Sequence, residues 1–224
     1  KRMRLAPVRL EYQGELGDST LRFLLEKLRL EPAQAFRSEA PLVLTHCFTL
    51  DTKVTQGMKR ELLLQTYVPQ QSRMVSGNDN IISQVTRRDI LLSYPYESMK
   101  PLINMLKEAA ADPEVLSIKI TLYRIARQSI LAEHLIEAAE NGKEVTVLME
   151  LRARFDEENN IEWAQRLEES GCKVIYGMDG YKVHSKICLI TRRTAKGIQY
   201  ITQIGTGNYN EKTAKLYTDF CLMT

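Results

Sequence analysis

The sequence predicts an α/β fold: a mixed, mostly parallel sheet flanked by helices, preceded by a partial α+β segment. Three observations carry that expectation. From about residue 90 onward, strand-like runs alternate with helical patterns of about 10–15 residues, the signature of βαβ units. Gly142 and Gly171 fall just after two of those helical patterns, where a C-terminal cap is wanted. After residue 184 the order becomes strand, turn, strand, which marks a hairpin and makes the sheet mixed at that edge.

The elements follow in order along the chain. Residues 7–12, PVRLEY, read as a short strand. Residues 18–30, DSTLRFLLEKLRL, read as a helix capped by Asp18 or Ser19, with Leu21, Leu24, Leu25 and Leu28 on its apolar face. Between 31 and 88 no clear period emerges, and residues 69–80, PQQSRMVSGNDN, read as a loop. Then come a helix near 97–111, a strand at 116–123, a helix at 129–142, a strand at 144–151, a helix at 159–171 and a strand in CKVIYG. Ile161, Trp163 and Leu167 form the apolar side of the last helix, and the acidic run at 156–158 suits its positive N-terminus. Tyr94 and Tyr96, flanking Pro95, read as packing residues.

HSKICLITRR and IQYITQIGTGNYN form the hairpin, joined by TAKG, and a helical-looking EKTAKLY precedes a final strand, DFCLMT. A boundary near 88 is expected, with residues 1–88 and 89–224 as separate domains.

With 224 residues and 44% hydrophobic content the chain can bury a substantial core. A formal net charge of +3 is too small to argue for nucleic acid or a membrane, so any anion site must be local. No apolar run approaches the ~18 residues of a membrane-spanning helix. Cys47, Cys172, Cys188 and Cys221 show neither metal-ligand spacing nor a disulfide framework, and reduced thiols in a cytoplasmic protein are expected. The chain starts without a methionine and stops inside an apolar segment, so a piece of a longer protein is expected.

The chemistry-bearing residues concentrate in YKVHSKICLI, residues 181–190. In a strand, His184 and Lys186 point to the same face, where a neutral imidazole can act as a nucleophile and a lysine can hold a phosphoryl oxygen. A histidine and a lysine on a solvated strand face would give the same tripeptide. GTGNYN at 205–210 adds a glycine-bracketed turn allowing close approach to a ligand, with Asn208 and Asn210 as amide donors. Arg124, Arg152 and Arg154 follow strand ends, where ligands bind in open α/β sheets and where arginine can grip phosphate. Salt bridges to Asp156, Glu157 and Glu158 are the competing reading of those arginines.

YPYESM, ITLYRIA, ARFDEENNI, KVHSKICLI and IGTGNYNEKTAKLYTDF together resemble bacterial polyphosphate kinase. The resemblance is close over 88–224, as the family's third domain, and looser over 1–87, as the end of its helical second domain. It implies a phospholipase-D-like half fold and reversible transfer of the γ-phosphate of ATP to inorganic polyphosphate through a phosphohistidine. On that resemblance His184 is the nucleophile, Arg124 and Arg154 belong to the magnesium site and Tyr217 binds ATP. Arginine has no lone pair to give a metal, so chemistry puts both on phosphate oxygens that Mg²⁺ also bridges. Lys186, Asn208 and Asn210 are added on chemical grounds as phosphoryl stabilisers.

The family further implies ATP, ADP and polyphosphate as partners, no nucleic acid, a homo-oligomer, and a cytoplasmic protein peripheral at the inner membrane face in some members. It also places a second essential histidine and much of the adenine pocket in other domains of the same chain. A fragment without them is expected to be inactive.

Two alternatives stay open. Phospholipase-D-like phosphodiesterases carry HxK, four residues and then Asp, but here that position is Thr191, which counts against diester cleavage. A non-catalytic polyanion-binding module is the other. His46 and His134 fit neither motif and read as surface or satisfied residues.

Overall fold

The structure is a computed structural model describing residues 6–54, 56–77, 79–151, 153, 156–177 and 180–224. Two compact units emerge, residues 1–66 and 67–224.

In the first unit, strand β1 (Leu10–Gln13) pairs in parallel with β2 (Ala35–Ser38). Helix α1 (Asp18–Leu28) connects them, and three short helical segments follow, a 3-10 turn (Thr45–Thr49), α2 (Leu50–Lys53) and α3 (Gln56–Leu62). The N-cap of α1 is Gly17, with no side-chain cap bond, rather than Asp18 or Ser19. Asp18 sits in the first turn instead, where its charge still meets the helix dipole.

The second unit begins with helix α4 (Ile81–Val85), then β3 (Ile90–Tyr94) and α5 (Lys100–Ala111). The βαβ run follows: β4 (Val115–Leu122), α6 (Ile130–Glu140), β5 (Glu144–Met149), α7 (Glu157–Glu169) and β6 (Lys173–Tyr176). It closes with β7 (Ile187–Thr194), β8 (Gly197–Gly205) and β9 (Asp219–Met223). Gly142 and Gly171 take left-handed φ values of 80° and 90° and end α6 and α7 as expected. Ser129 caps α6, its hydroxyl accepting from Ala132 N–H at 3.2 Å.

The seven-stranded sheet runs β3-β9-β8-β7-β4-β5-β6. The expected parallel ladder exists only at β4–β5–β6. The pairs β3–β9, β4–β7, β7–β8 and β8–β9 are all antiparallel, so the sheet is mostly antiparallel and the expectation of a mostly parallel one is corrected. The physical reason is topological. β7 returns beside β4 rather than continuing past β6, and each later strand then adds through an antiparallel neighbour, which needs no crossover helix.

Alternation along the strands separates two faces of this sheet. Ile90, Leu92, Ile118, Ile120, Val147, Cys188 and Ile190 join one buried cluster with Leu102 and Met105 of α5, Leu131 and Leu135 of α6, and Trp163 and Leu167 of α7. The Trp163 indole N–H donates to Ala126 O at 3.0 Å, locking α7 onto the loop after β4. Ile161, predicted on that buried side, is exposed. Tyr94 is buried and Tyr96 is exposed, so only the first of that pair packs inside.

No described helix is long and apolar enough to cross a membrane. Three cysteines are buried and Cys47 is exposed, all free.

Candidate active site

The site forms where β4 and β5 end and the HxK segment arrives. Asn160, fully buried on α7, donates its side-chain N–H groups to Tyr123 O at 2.8 Å and Glu150 O at 2.9 Å. One amide thus ties the carboxyl ends of both strands. The carboxylate of Glu150, 5% exposed, accepts the Val183 N–H at 3.0 Å and anchors the chain one residue before His184.

His184 and Lys186 precede β7, which starts at Ile187, in a stretch without regular ladder pairing. The expectation that both lie in a strand is therefore corrected, and the competing reading of a solvated pair fits only His184, which is exposed whereas Lys186 is 5% exposed. The reason is that the alternation of β7 begins only where its ladder does. Lys186 keeps the inward phase of Cys188 and Ile190, while Val183 has turned inward to reach Glu150.

The two residues meet nonetheless, through an aromatic ring. His184 stacks edge-to-face on Tyr123 with centroids 4.9 Å apart and planes at 84°. The Lys186 ammonium stands 5.5 Å from the centroid of that ring, and the Arg124 guanidinium carbon 5.7 Å. Lys186 Nζ also donates to the carbonyl of His184. Burial lowers the Lys186 pKa from its ordinary value, and the charge of Asp219 opposes that shift.

Arg124 pairs with Asp156, Nε to Oδ2 at 3.1 Å, so an incoming anion would compete with a carboxylate for it. Arg154 and Arg152 lie outside the described residues.

The glycine turn reaches the same place from β8. Gly205 N–H donates to Lys186 O at 2.9 Å, and Thr206 Oγ1 donates to Asp219 Oδ1 at 2.8 Å. Tyr209, buried, donates its hydroxyl to the buried Gln203 side chain and pins the turn to the core. Asn208 is half-buried, and its Oδ1 has no hydrogen-bond partner among the described residues. Asn210 spends its Oδ1 on the N–H groups of Lys212 and Thr213, both at 3.1 Å, which starts the 3-10 turn Thr213–Lys215. Tyr217 follows that turn and is 62% exposed.

Beside these residues a cavity of about 650 Å³ is lined by Arg127, Asp156, Asn159, Asn210, Lys212 and Thr213, among others. A cavity of similar size between the 68–77 loop and α5 contains none of the predicted site residues. The other two histidines are engaged elsewhere, His46 with Val43 O at 3.2 Å and His134 with Glu137 at 2.9 Å. No group of three metal-ligating carboxylate, thiol or imidazole side chains occurs among the described residues.

Sequence reasoning missed Tyr123, Glu150, Asn160 and Asp219. Each lies within or beside a motif already singled out, ITLYRIA, ARFDEENNI or IGTGNYNEKTAKLYTDF, so position was available as a signal but role was not.

Fold and cleft together define an α/β protein that presents an exposed imidazole and a buried lysine outside the carboxyl ends of its central strands. The chain belongs to the polyphosphate kinase family: the family described as polyphosphate kinase C-terminal domain 1 matches residues 80–224. A polyphosphate kinase of Halalkalibacterium halodurans is 48% identical over 220 residues, 98% of this chain and 31% of the relative. One from Staphylococcus epidermidis is 44% identical over 218 residues, 97% of this chain and 29% of the relative. The crystal structure of polyphosphate kinase from Porphyromonas gingivalis superposes with a TM-score of 0.77 at 33% identity, covering 98% of this chain and 33% of that one. The chain thus spans about a third of the length of the curated relatives it matches.

Proposed function

We propose that this chain is the histidine-bearing part of a polyphosphate kinase, moving the γ-phosphate of ATP onto inorganic polyphosphate and back. The observation that carries the reading is the convergence of His184, Lys186 and Arg124 on the ring of Tyr123 at the strand ends.

An imidazole nitrogen of His184 attacks the γ-phosphorus of ATP. The N–P bond forms as the P–O bond to the β-phosphate breaks, and ADP leaves with the bonding electron pair. A terminal oxygen of polyphosphate then attacks the phosphorus, restoring P–O and releasing the imidazole. Two displacements at phosphorus, with the imidazole nitrogen first attacking and then leaving, replace a single encounter of two polyanions. Lys186, held by its bond to the His184 carbonyl, supplies positive charge to the phosphoryl oxygens with little reorganisation. Arg124 and Arg154 hold phosphate oxygens, Asn208 and Asn210 offer amide donors at the turn, and Tyr217 contacts the nucleotide. Mg²⁺ arriving with the nucleotide would sit by the phosphates that Arg124 and Arg154 hold and would add positive charge to the phosphoryl group as it transfers.

The reading supposes the remaining domains of a longer, homo-oligomeric chain, in the cytoplasm or peripheral at the inner membrane face. Its test is phosphopeptide mapping of the full-length protein after exposure to ATP labelled at the γ-phosphate, with Mg²⁺, quenched in alkali. Acid-labile label on the peptide containing His184 is expected. Polyphosphate made without label there would mean direct transfer between substrates.

A further inference from the structure

We infer that Tyr123 is a positioning residue for the His184 nucleophile, a statement that rests on the phosphoryl-transfer reading above and names the device that aims its attacking group. A nucleophile must be held in a narrow range of positions, and misplacement by about 1 Å can cost on the order of 10²-fold in rate. His184 lacks the usual means of being held. It precedes β7, so its backbone is held by side chains rather than a ladder, Glu150 on the Val183 N–H, Lys186 on the His184 carbonyl and Thr121 on the Ser185 carbonyl, and none of these bonds reaches its exposed imidazole.

Tyr123 supplies what the backbone does not. It follows the last residue of β4, its carbonyl is held by buried Asn160 at 2.8 Å, and its ring is half-buried. The imidazole leans on that ring at 4.9 Å and 84°, an edge-to-face geometry that restricts the rotamers of an otherwise solvated side chain. The Lys186 ammonium and the Arg124 guanidinium are both within cation–π range of the same ring, at 5.5 and 5.7 Å. One rigid ring therefore registers the nucleophile and two cations relative to one another. Tyr123 forms no bond to the phosphoryl group in this role. It acts through His184.

The test compares Tyr123→Leu and Tyr123→Phe with wild type in the full-length protein, measuring the rate of acid-labile labelling of His184 and the KM for ATP. Tyr123→Leu is expected to slow labelling on the order of 10²-fold with KM unchanged, and Tyr123→Phe, which keeps the ring, to rescue the rate. Undiminished labelling in Tyr123→Leu, or equal loss in both variants, would overturn the inference. No label in the wild type would strike the phosphoryl-transfer reading itself and remove this inference with it, a result distinct from the other two. Should Tyr123→Leu fail to fold, nuclear Overhauser contacts between the Tyr123 and His184 ring protons in the wild-type 224-residue chain decide. Their presence is expected, and their absence overturns the proposal.

Discussion

Gly207 lies hard against Asp219: a Cβ placed at residue 207 would stand 2.6 Å from Oδ2 of Asp219, so one of the two would have to move. The crowding at the glycine turn thus comes from a carboxylate of β9, the same one whose charge faces Lys186. Gly207→Ala should displace Asp219 and destabilise the fold by about 1–3 kcal/mol, as overpacking does. At roughly 2–4 °C per kcal/mol for a domain of this size, a thermal melt reads the effect directly.

Lys186 should make stability depend on alkaline pH. Its folded pKa lies below the ordinary 10.5 because burial disfavours the ammonium. Between the folded and unfolded values the unfolded chain binds more protons, so stability rises with pH across that window. Below it, the burial cost is constant. Lys186→Met removes this term, and its stability relative to wild type should therefore decline as pH climbs towards 10.5, measured by urea denaturation across a pH series. A difference independent of pH would contradict the assignment.

Asn160→Leu keeps volume but leaves the carbonyls of Tyr123 and Glu150 without their shared donor. A loss of about 1–3 kcal/mol is expected from withdrawing this buried donor, seen as a lower urea midpoint with an unchanged m-value.

The thiols should divide by burial. Cys188 is pushed up to about 12 and Cys172 to about 11 by desolvation, and Cys221 is raised as well. Cys47 is exposed. Maleimide at mildly alkaline pH should modify Cys47 rapidly in the native chain and the other three only after unfolding, as peptide mass spectrometry would show.

The 224-residue chain alone should make no detectable polyphosphate from ATP and Mg²⁺, since it spans about a third of its relatives. Synthesis by this chain would show that the domains outside it are dispensable.

Much of the second unit was legible along the chain because its signals are local. The 3.6-residue periodicity of α6 and α7, the glycines that end them and the apolar runs of β4 and β5 each declare an element within a dozen or so residues. The motifs around His184 and the glycine turn declared the family for the same reason. α4 was missed because five residues are too few for a 3.6-residue period to show, and β3 lies beside the stretch 31–88 in which no period emerged.

By itself, then, the sequence determined the order of the helices and strands from β4 onward, the polyphosphate kinase family and the histidine on which the proposed chemistry turns. Tertiary structure alone decided that β7 lies antiparallel beside β4, that Lys186 is buried while His184 is exposed, and that both meet at Tyr123. Periodicity is a property of neighbours in the chain. Strand pairing, and the first residue at which a ladder imposes its alternation, depend on partners some 60 residues away, such as Thr121 Oγ1 bonding Ser185 O at 2.7 Å across a separation of 64.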